Sequence, residues 1–483
     1  MSKNQPTKVG DDSHFAYHIS LLNLKNRDDE NDKSVSAPIF TGPLLRQPNM
    51  LPSQFGLLAG LEATQHSGLI DLKHELIKED PRVFFNVSSP SSTFICGSQG
   101  SGKSHTLSCL LEGCLIKSKA GCLKSPLTAV VFHYDTFIYD NGGSPCEAAF
   151  LASHSSIKVR VLCAPTNLRT IQGTYARLRI PVEPLQIDQA DLNTKRMLDL
   201  MAVGQEKGAM PLYMHTVQRI LREMRLLQQE TGSQLEPLKQ RLDTLESFMP
   251  RQQVGSGVPN DKKGKNVKSK GSCWTLEPSL LTIVDLSCPC ISPDTACSLF
   301  NVCFEIFMEQ NTRVGRVVAL DEAHKYMKSS IESQNFTNTL LSTVRLQRHL
   351  GVRVIISTQE PTISSDLLSL CSVTIVHKFS SPAWLRALQG HVAAAAIGVK
   401  SEGQRLPETE GSLNPESSGQ LSFFHQIVNL RVGEALLFAP GAILATIAKD
   451  SGSLQLKSLG AGYMKVQVRQ RLTEDGGKSV LSS

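Results

Sequence analysis

Residues 97–104 read Gly-Ser-Gln-Gly-Ser-Gly-Lys-Ser and match GxxxxGK[ST] throughout. The run follows the apolar stretch Phe94-Ile95-Cys96 and precedes Leu107, Leu110, Leu111 and Leu115 at helical spacing. It therefore joins a buried strand to a helix, which is the context the motif requires. Glycines let such a loop curl so that backbone N–H groups converge on phosphate oxygens. The helix N-terminus adds partial positive charge. Gly97, Ser98, Gln99, Gly100, Ser101 and Gly102, with the first helical residues Lys103, Ser104 and His105, are the expected phosphate cradle. Lys103 can meet β- and γ-phosphates, and the Ser104 hydroxyl can ligate Mg²⁺, so ATP and Mg²⁺ are the expected ligands. The competing explanation is a Gly-rich turn without a ligand.

A second feature is Val317-Val318-Ala319-Leu320-Asp321-Glu322, an apolar strand that ends in two carboxylates. Asp321 is expected to hold the magnesium shell, and Glu322 to polarise the attacking water. Helix capping is the alternative for both acids. More than two hundred residues and at least one strand separate Lys103 from Asp321, which suits the ATPase branch with an extra central strand. Gln359 ends the next apolar strand, Val354–Ser357, and is a candidate sensor of the γ-phosphate; a polar loop residue is the alternative. Arg345 and Arg348 share a helix face and are candidate arginine fingers, preferably Arg348; a solvated basic face is the other reading. Asp321-Glu322-Ala323-His324 spells a helicase tetrad, but the late QRxGRxGR motif of those helicases is missing.

The organisation around these motifs is α/β. Strands are expected at Ala129–Tyr134, Ile157–Leu162, Leu280–Asp285, Arg316–Leu320, Val352–Ser357 and Val373–Lys378, and helices at Pro293–Met308 and Phe336–Leu350. Alternation of this kind predicts a mostly parallel sheet with helices on both faces. Residues 1–80 read as a partly disordered arm. The ATPase core is expected in two halves, 81–171 and 273–400, interrupted by a helical insertion at 172–250 and a basic disordered linker at 251–272. A loop at 401–420 and C-terminal strands and tail at 421–483 complete the chain. The net charge of +6 leans mildly towards polyanions without identifying a nucleic-acid binder. Twelve scattered cysteines in 483 residues exclude a disulfide scaffold. Cys288, Cys290, Cys297 and Cys303 lack zinc-knuckle spacing and read as core thiols. No secretory pattern and no membrane span are visible, so a nuclear or cytoplasmic setting is expected.

The run from Leu320 to Pro361 resembles the HerA/FtsK group of hexameric P-loop ATPases: Asp321-Glu322, then Arg348 before Gly351, then Ser357-Thr358-Gln359-Glu360-Pro361. Leu430–Ala435 resembles the late "GEA" strand entry of the same group. Phe94–Thr106 and Ser342–Pro361 also resemble fungal P-loop proteins of unassigned role. The resemblance implies a RecA/ASCE-like P-loop NTPase fold, a homo-oligomer (hexameric in the family), and DNA as a partner. The small N-terminal β-barrel usual in HerA-like enzymes is not legible in residues 1–80. The expected function is an Mg-dependent ATP hydrolase, with DNA translocation as its family-implied role. A nucleotide-dependent switch or scaffold is the alternative. A small-molecule kinase has no Arg-rich lid to support it.

Overall fold

The computed structural model describes residues 29–62, 80–136, 143–201, 247–250, 270–311, 313–391, 423–448 and 454–476. Most of the expected helical insertion beyond residue 201, most of the basic linker and the 401–420 loop lie outside these residues.

In chain order the first strands are β1 (Ile39–Thr41), β2 (Phe55–Leu61), β3 (Arg82–Asn86), β4 (Ser92–Cys96), β5 (Gly121–Cys122) and β6 (Thr128–His133). They are followed by β7 (Lys158–Cys163), β8 (Val182–Pro184), β9 (Leu280–Asp285), β10 (Arg316–Leu320), β11 (Val352–Thr358) and β12 (Val373–Val376). The last are β13 (Glu434–Phe438), β14 (Ile443–Ala448), β15 (Leu454–Ser458) and β16 (Met464–Val468). The helices are α1 (Asp29–Ser36), α2 (Lys103–Leu115), α3 (Leu168–Tyr175), α4 (Thr194–Met201), α5 (Pro293–Glu309), α6 (Ile331–Leu350), α7 (Ser365–Leu370) and α8 (Pro382–His391).

All the described strands belong to one sheet, ordered β15-β14-β1-β3-β2-β16-β13-β12-β4-β11-β10-β6-β9-β7-β8, with β5 on β2. From β12 to β8 every pairing is parallel. Continuous apolar runs such as Val317–Leu320 are what a strand covered on both faces requires. The faces separate residue by residue. Phe94, Cys96, Val318, Leu320, Val354 and Ile356 pack with Phe300 and Phe304 of α5 and Phe336 of α6. Ile95, Val317, Ala319 and Ile355 turn to the other side, onto Leu107, Leu110 and Leu111 of α2. This is the expected α/β P-loop NTPase fold, a large, mostly parallel sheet with helices on both faces.

Two segments differ from expectation. Residues 39–61, read as part of an arm, supply β1 and β2, antiparallel to β3. Phe40, Phe55 and Phe84 hold them there, with ring centroids 5.2–5.5 Å apart. Within the range read as helical insertion, Val182–Pro184 forms β8 and extends the sheet beside β7. β1 and β8, of three residues each, rest on backbone pairing with other segments, which leaves no periodic trace in sequence.

Candidate nucleotide site

Strand register brings the chemistry to one edge. Cys96 at the end of β4 pairs with Thr358 of β11 on one side and Val376 of β12 on the other. Leu320 at the end of β10 pairs with Ile356 of β11 and Phe132 of β6. The loop after Cys96, the Asp321-Glu322 pair, Gln359, His133 and His377 therefore all leave the carboxyl ends of neighbouring strands, where open α/β sheets bind ligands. β11 lies between the strand before the loop and the strand of the acidic pair.

The loop needs its glycines. Gly100 and Gly102 have φ of +72° and +110°, where a side chain is strained. A Cβ on Gly102 would also approach Gly433 N to 3.2 Å. Gly433, at the mouth of β13, donates its N–H to Ser101 O at 3.3 Å, so the "GEA" segment braces the loop. His377 adds a cross-brace: its Nε2 is 2.9 Å from Thr106 Oγ1 and its Nδ1 is 2.9 Å from Glu434 O. Burial brings its pKa down to about 4, which keeps the ring neutral. Lys103 is buried and donates from Nζ to Ser98 O at 3.1 Å. Burial lowers its pKa, against the opposing pull of Glu322 and Asp321. Ser104 is partly exposed on the first turn of α2. The His105 ring turns away from the loop, with Nε2 2.8 Å from Arg469 O and Nδ1 3.7 Å from Asp475.

The adjacent carboxylates part company. Asp321 is buried; its Oδ2 lies 3.2 Å from His133 Nδ1 and 3.7 Å from Cys146 Sγ. Burial would raise its pKa, but the His133 hydrogen bond and the charges of His133 and Lys103 carry it below the ordinary carboxylate value. Asp321 Oδ1 is buried without a protein hydrogen bond. Glu322 takes a left-handed backbone, φ +49°, a strain of about 1–3 kcal/mol for a non-glycine residue. Its Oε2 accepts from Gln359 Nε2 at 3.3 Å and lies 3.3 Å from His324 Nδ1. Burial and the neighbouring Asp321 raise the Glu322 pKa. Burial lowers His324 to about 4, and its Nδ1 accepts from Gln359 N at 3.4 Å.

Lys103, Asp321, Glu322 and Gln359 are thus one cluster. Arg345 and Arg348 are not part of it. Both are exposed near the end of α6, where the chain enters β11. The seven residues of β11 then run roughly 20 Å to the site edge. Sequence reasoning did not single out His133, Cys146 and His377. The signals available were a histidine ending an apolar strand and the positions flanking the motif, both weak without the sheet order. Cys297 and Cys303 are buried in α5, Cys288 is buried and Cys290 is exposed.

A second set of bonds holds α2 from behind. Glu112 is fully buried and accepts from Arg469 Nη1 at 2.7 Å, Thr473 Oγ1 at 2.6 Å, and the N–H groups of Leu472 and Thr473. The segment after β16 thereby clamps the helix that starts at Lys103.

No family model matches the chain, and no curated protein matches it in sequence. Solved structures do. VirB4 of Thermoanaerobacter pseudethanolicus is similar over 86% of this chain and 96% of its own, at 11% identity and a TM-score of 0.42. The plasmid coupling protein TrwB, in complex with the GTP analogue GDPNP, covers 80% and 87% at 12% identity and 0.40. The genome-packaging NTPase B204 of Sulfolobus turreted icosahedral virus 2, in complex with ATP-γS, covers 76% and 97% at 8% identity and 0.28. The resemblance to fungal proteins finds no support among these matches. At these identities and TM-scores no ligand or partner carries over to this chain.

Proposed function

We propose that this chain is an Mg-dependent ATP hydrolase of the HerA/FtsK-like kind. The supporting observation is the convergence of Lys103, Asp321, Glu322 and Gln359 on one sheet edge, with the two adjacent acids directed to different partners. The loop of residues 97–105 presents N–H groups to the phosphates, and Lys103 exchanges Ser98 O for a phosphate oxygen. Ser104 and Asp321 would hold Mg²⁺, which supplies charge neutralisation at the phosphates. The free Asp321 Oδ1 suits an acceptor role towards metal-bound water. Glu322 takes the proton of the attacking water, and its raised pKa makes it a stronger base than an ordinary carboxylate. Gln359 orients that carboxylate. Arg345 and Arg348 are exposed at the far end of β11, where a finger role would be towards the site of another copy in an oligomer.

The test is ATP turnover with and without single- and double-stranded DNA, together with the mass of the ATP-bound particle. Turnover in a multi-subunit particle, raised by DNA and losing that rise as salt increases, supports the translocase form of the reading. A particle that binds ATP but does not turn it over overturns the hydrolase reading. The switch reading would then stand, favoured by the clamp from Arg469 to Thr473 on the helix that carries Lys103.

A further inference from the structure

The hydrolytic reading uses Asp321 but leaves His133 and Cys146, its buried neighbours, without a task. His133 ends β6, Cys146 lies before the turn at Glu147–Ser153, and Asp321 follows β10. Their ligand atoms all lie within 4.8 Å of one another, and all three residues are buried. Asp321 Oδ1 and His133 Nε2 have no protein hydrogen-bond partner.

We propose that His133, Cys146 and Asp321 form a binding site for a soft divalent cation, zinc by its chemistry, which competes with magnesium for Asp321. Two of the three separations match, and the third is under 4.8 Å. Tetrahedral zinc with its usual bond lengths places a nitrogen and an oxygen ligand about 3.3 Å apart, and a sulfur and an oxygen ligand about 3.5 Å apart. Here His133 Nδ1 and Asp321 Oδ2 are 3.2 Å apart, and Cys146 Sγ and Asp321 Oδ2 are 3.7 Å apart. The ligand type matches too. Thiolate and imidazole suit zinc or cobalt, whereas magnesium wants oxygen ligands and keeps its water. Charge balances in the buried site: one thiolate, one carboxylate and a neutral imidazole cancel a divalent ion. Binding expels the Cys146 proton to solvent, together with any proton on His133. Lys103 and Lys325 are the opposing charges. Lys325 is already paired with Asp135 at 3.1 Å, and Lys103 donates to Ser98 O at 3.1 Å. Three protein ligands leave a fourth position for water, as in open zinc sites.

Metal capture by these side chains is independent of the hydrolytic reading; only its consequence, inhibition of Mg-dependent turnover, rests on it. The probe is Co²⁺, titrated into the nucleotide-free full chain. The expected result is one equivalent bound with tetrahedral absorption and a thiolate-to-cobalt charge-transfer band, displaced by Zn²⁺. Cys146→Ser should abolish that band, and His133→Gln should weaken binding by at least about 100-fold, since even an outer partner of a metal ligand is worth 10–100-fold. Each variant's melting curve establishes that it is folded, and His133→Gln reads the site if Cys146→Ser does not fold. Lys103→Ala should leave the cobalt spectrum in place, so loss of nucleotide binding and loss of metal binding are read separately. No charge-transfer band in the wild type overturns the proposal. So does a band that survives in Cys146→Ser, which would belong to another thiol such as the exposed Cys273 or Cys290.

Discussion

Gln359 Nε2 lies 3.3 Å from Glu322 Oε2, tying the end of β11 to the turn that follows β10. Asp321, one residue earlier, looks the other way, to His133 at 3.2 Å. The left-handed backbone at Glu322 turns the chain out of the strand at the point where the two carboxylates part.

Lys103→Ala should weaken ATP binding by about 30-fold or more, because truncating one partner of a buried charge pair costs roughly 2–5 kcal/mol. Calorimetric titration of the folded variant with ATP is the check. Unchanged affinity would remove the loop from the nucleotide site.

Glu322→Gln should separate chemistry from stability. Turnover should fall by roughly 10²–10⁴, as for a lost general base, while ATP still binds. Stability should move the opposite way. Because burial and Asp321 raise the folded pKa of Glu322, its protonated form favours the fold. That contribution is present below the ordinary Glu value and is lost as pH rises through the raised one. The amide keeps it at all pH. Melting curves should show the variant more stable than wild type at pH 7, with the difference vanishing below about pH 4. A variant that is less stable at pH 7 would assign Glu322 a structural capping role.

The acid limb of the turnover profile should lie above the ordinary carboxylate range for the same reason. His324, at about 4, is neutral there and is not its source. The limb should therefore persist in His324→Gln. Its disappearance in that variant would move the titration to the histidine.

Glu112→Ala should destabilise the chain by about 3–5 kcal/mol, the range for leaving a buried partner charge uncompensated. Arg469 and the N–H groups of Leu472 and Thr473 lose their acceptor together. Urea unfolding measures it, and a loss under about 1 kcal/mol would show that the C-terminal clamp is dispensable.

Arg348→Ala and Glu322→Gln subunits, each slow alone, should regain turnover on mixing if Arg348 serves a neighbouring copy. One interface in the mixture then pairs an intact arginine with an intact base. No recovery, or a monomer at every ATP concentration, would return Arg348 to a solvated helix face, where its exposure alone would place it.

The sequence by itself determined the glycine-rich loop and the parallel core. Both rest on local signals: Gly97–Ser104 is a contiguous motif whose backbone demands specific residues, and β4, β6, β10 and β11 each carry an apolar run, Phe94–Cys96, Ala129–Phe132, Val317–Leu320 and Val354–Ile356. Strand order was only partly legible, since pairing is a contact between segments far apart in the chain. Only the tertiary structure placed β11 beside β4, so that Gln359 reaches Glu322. Only it brought His133 and Cys146 to Asp321. It also drew β1, β2 and β13–β16 into the same sheet. Short strands and single histidines carry no periodic signal. Their meaning comes from burial and from partners dozens to hundreds of residues away, and those exist only once the sheet has closed around them.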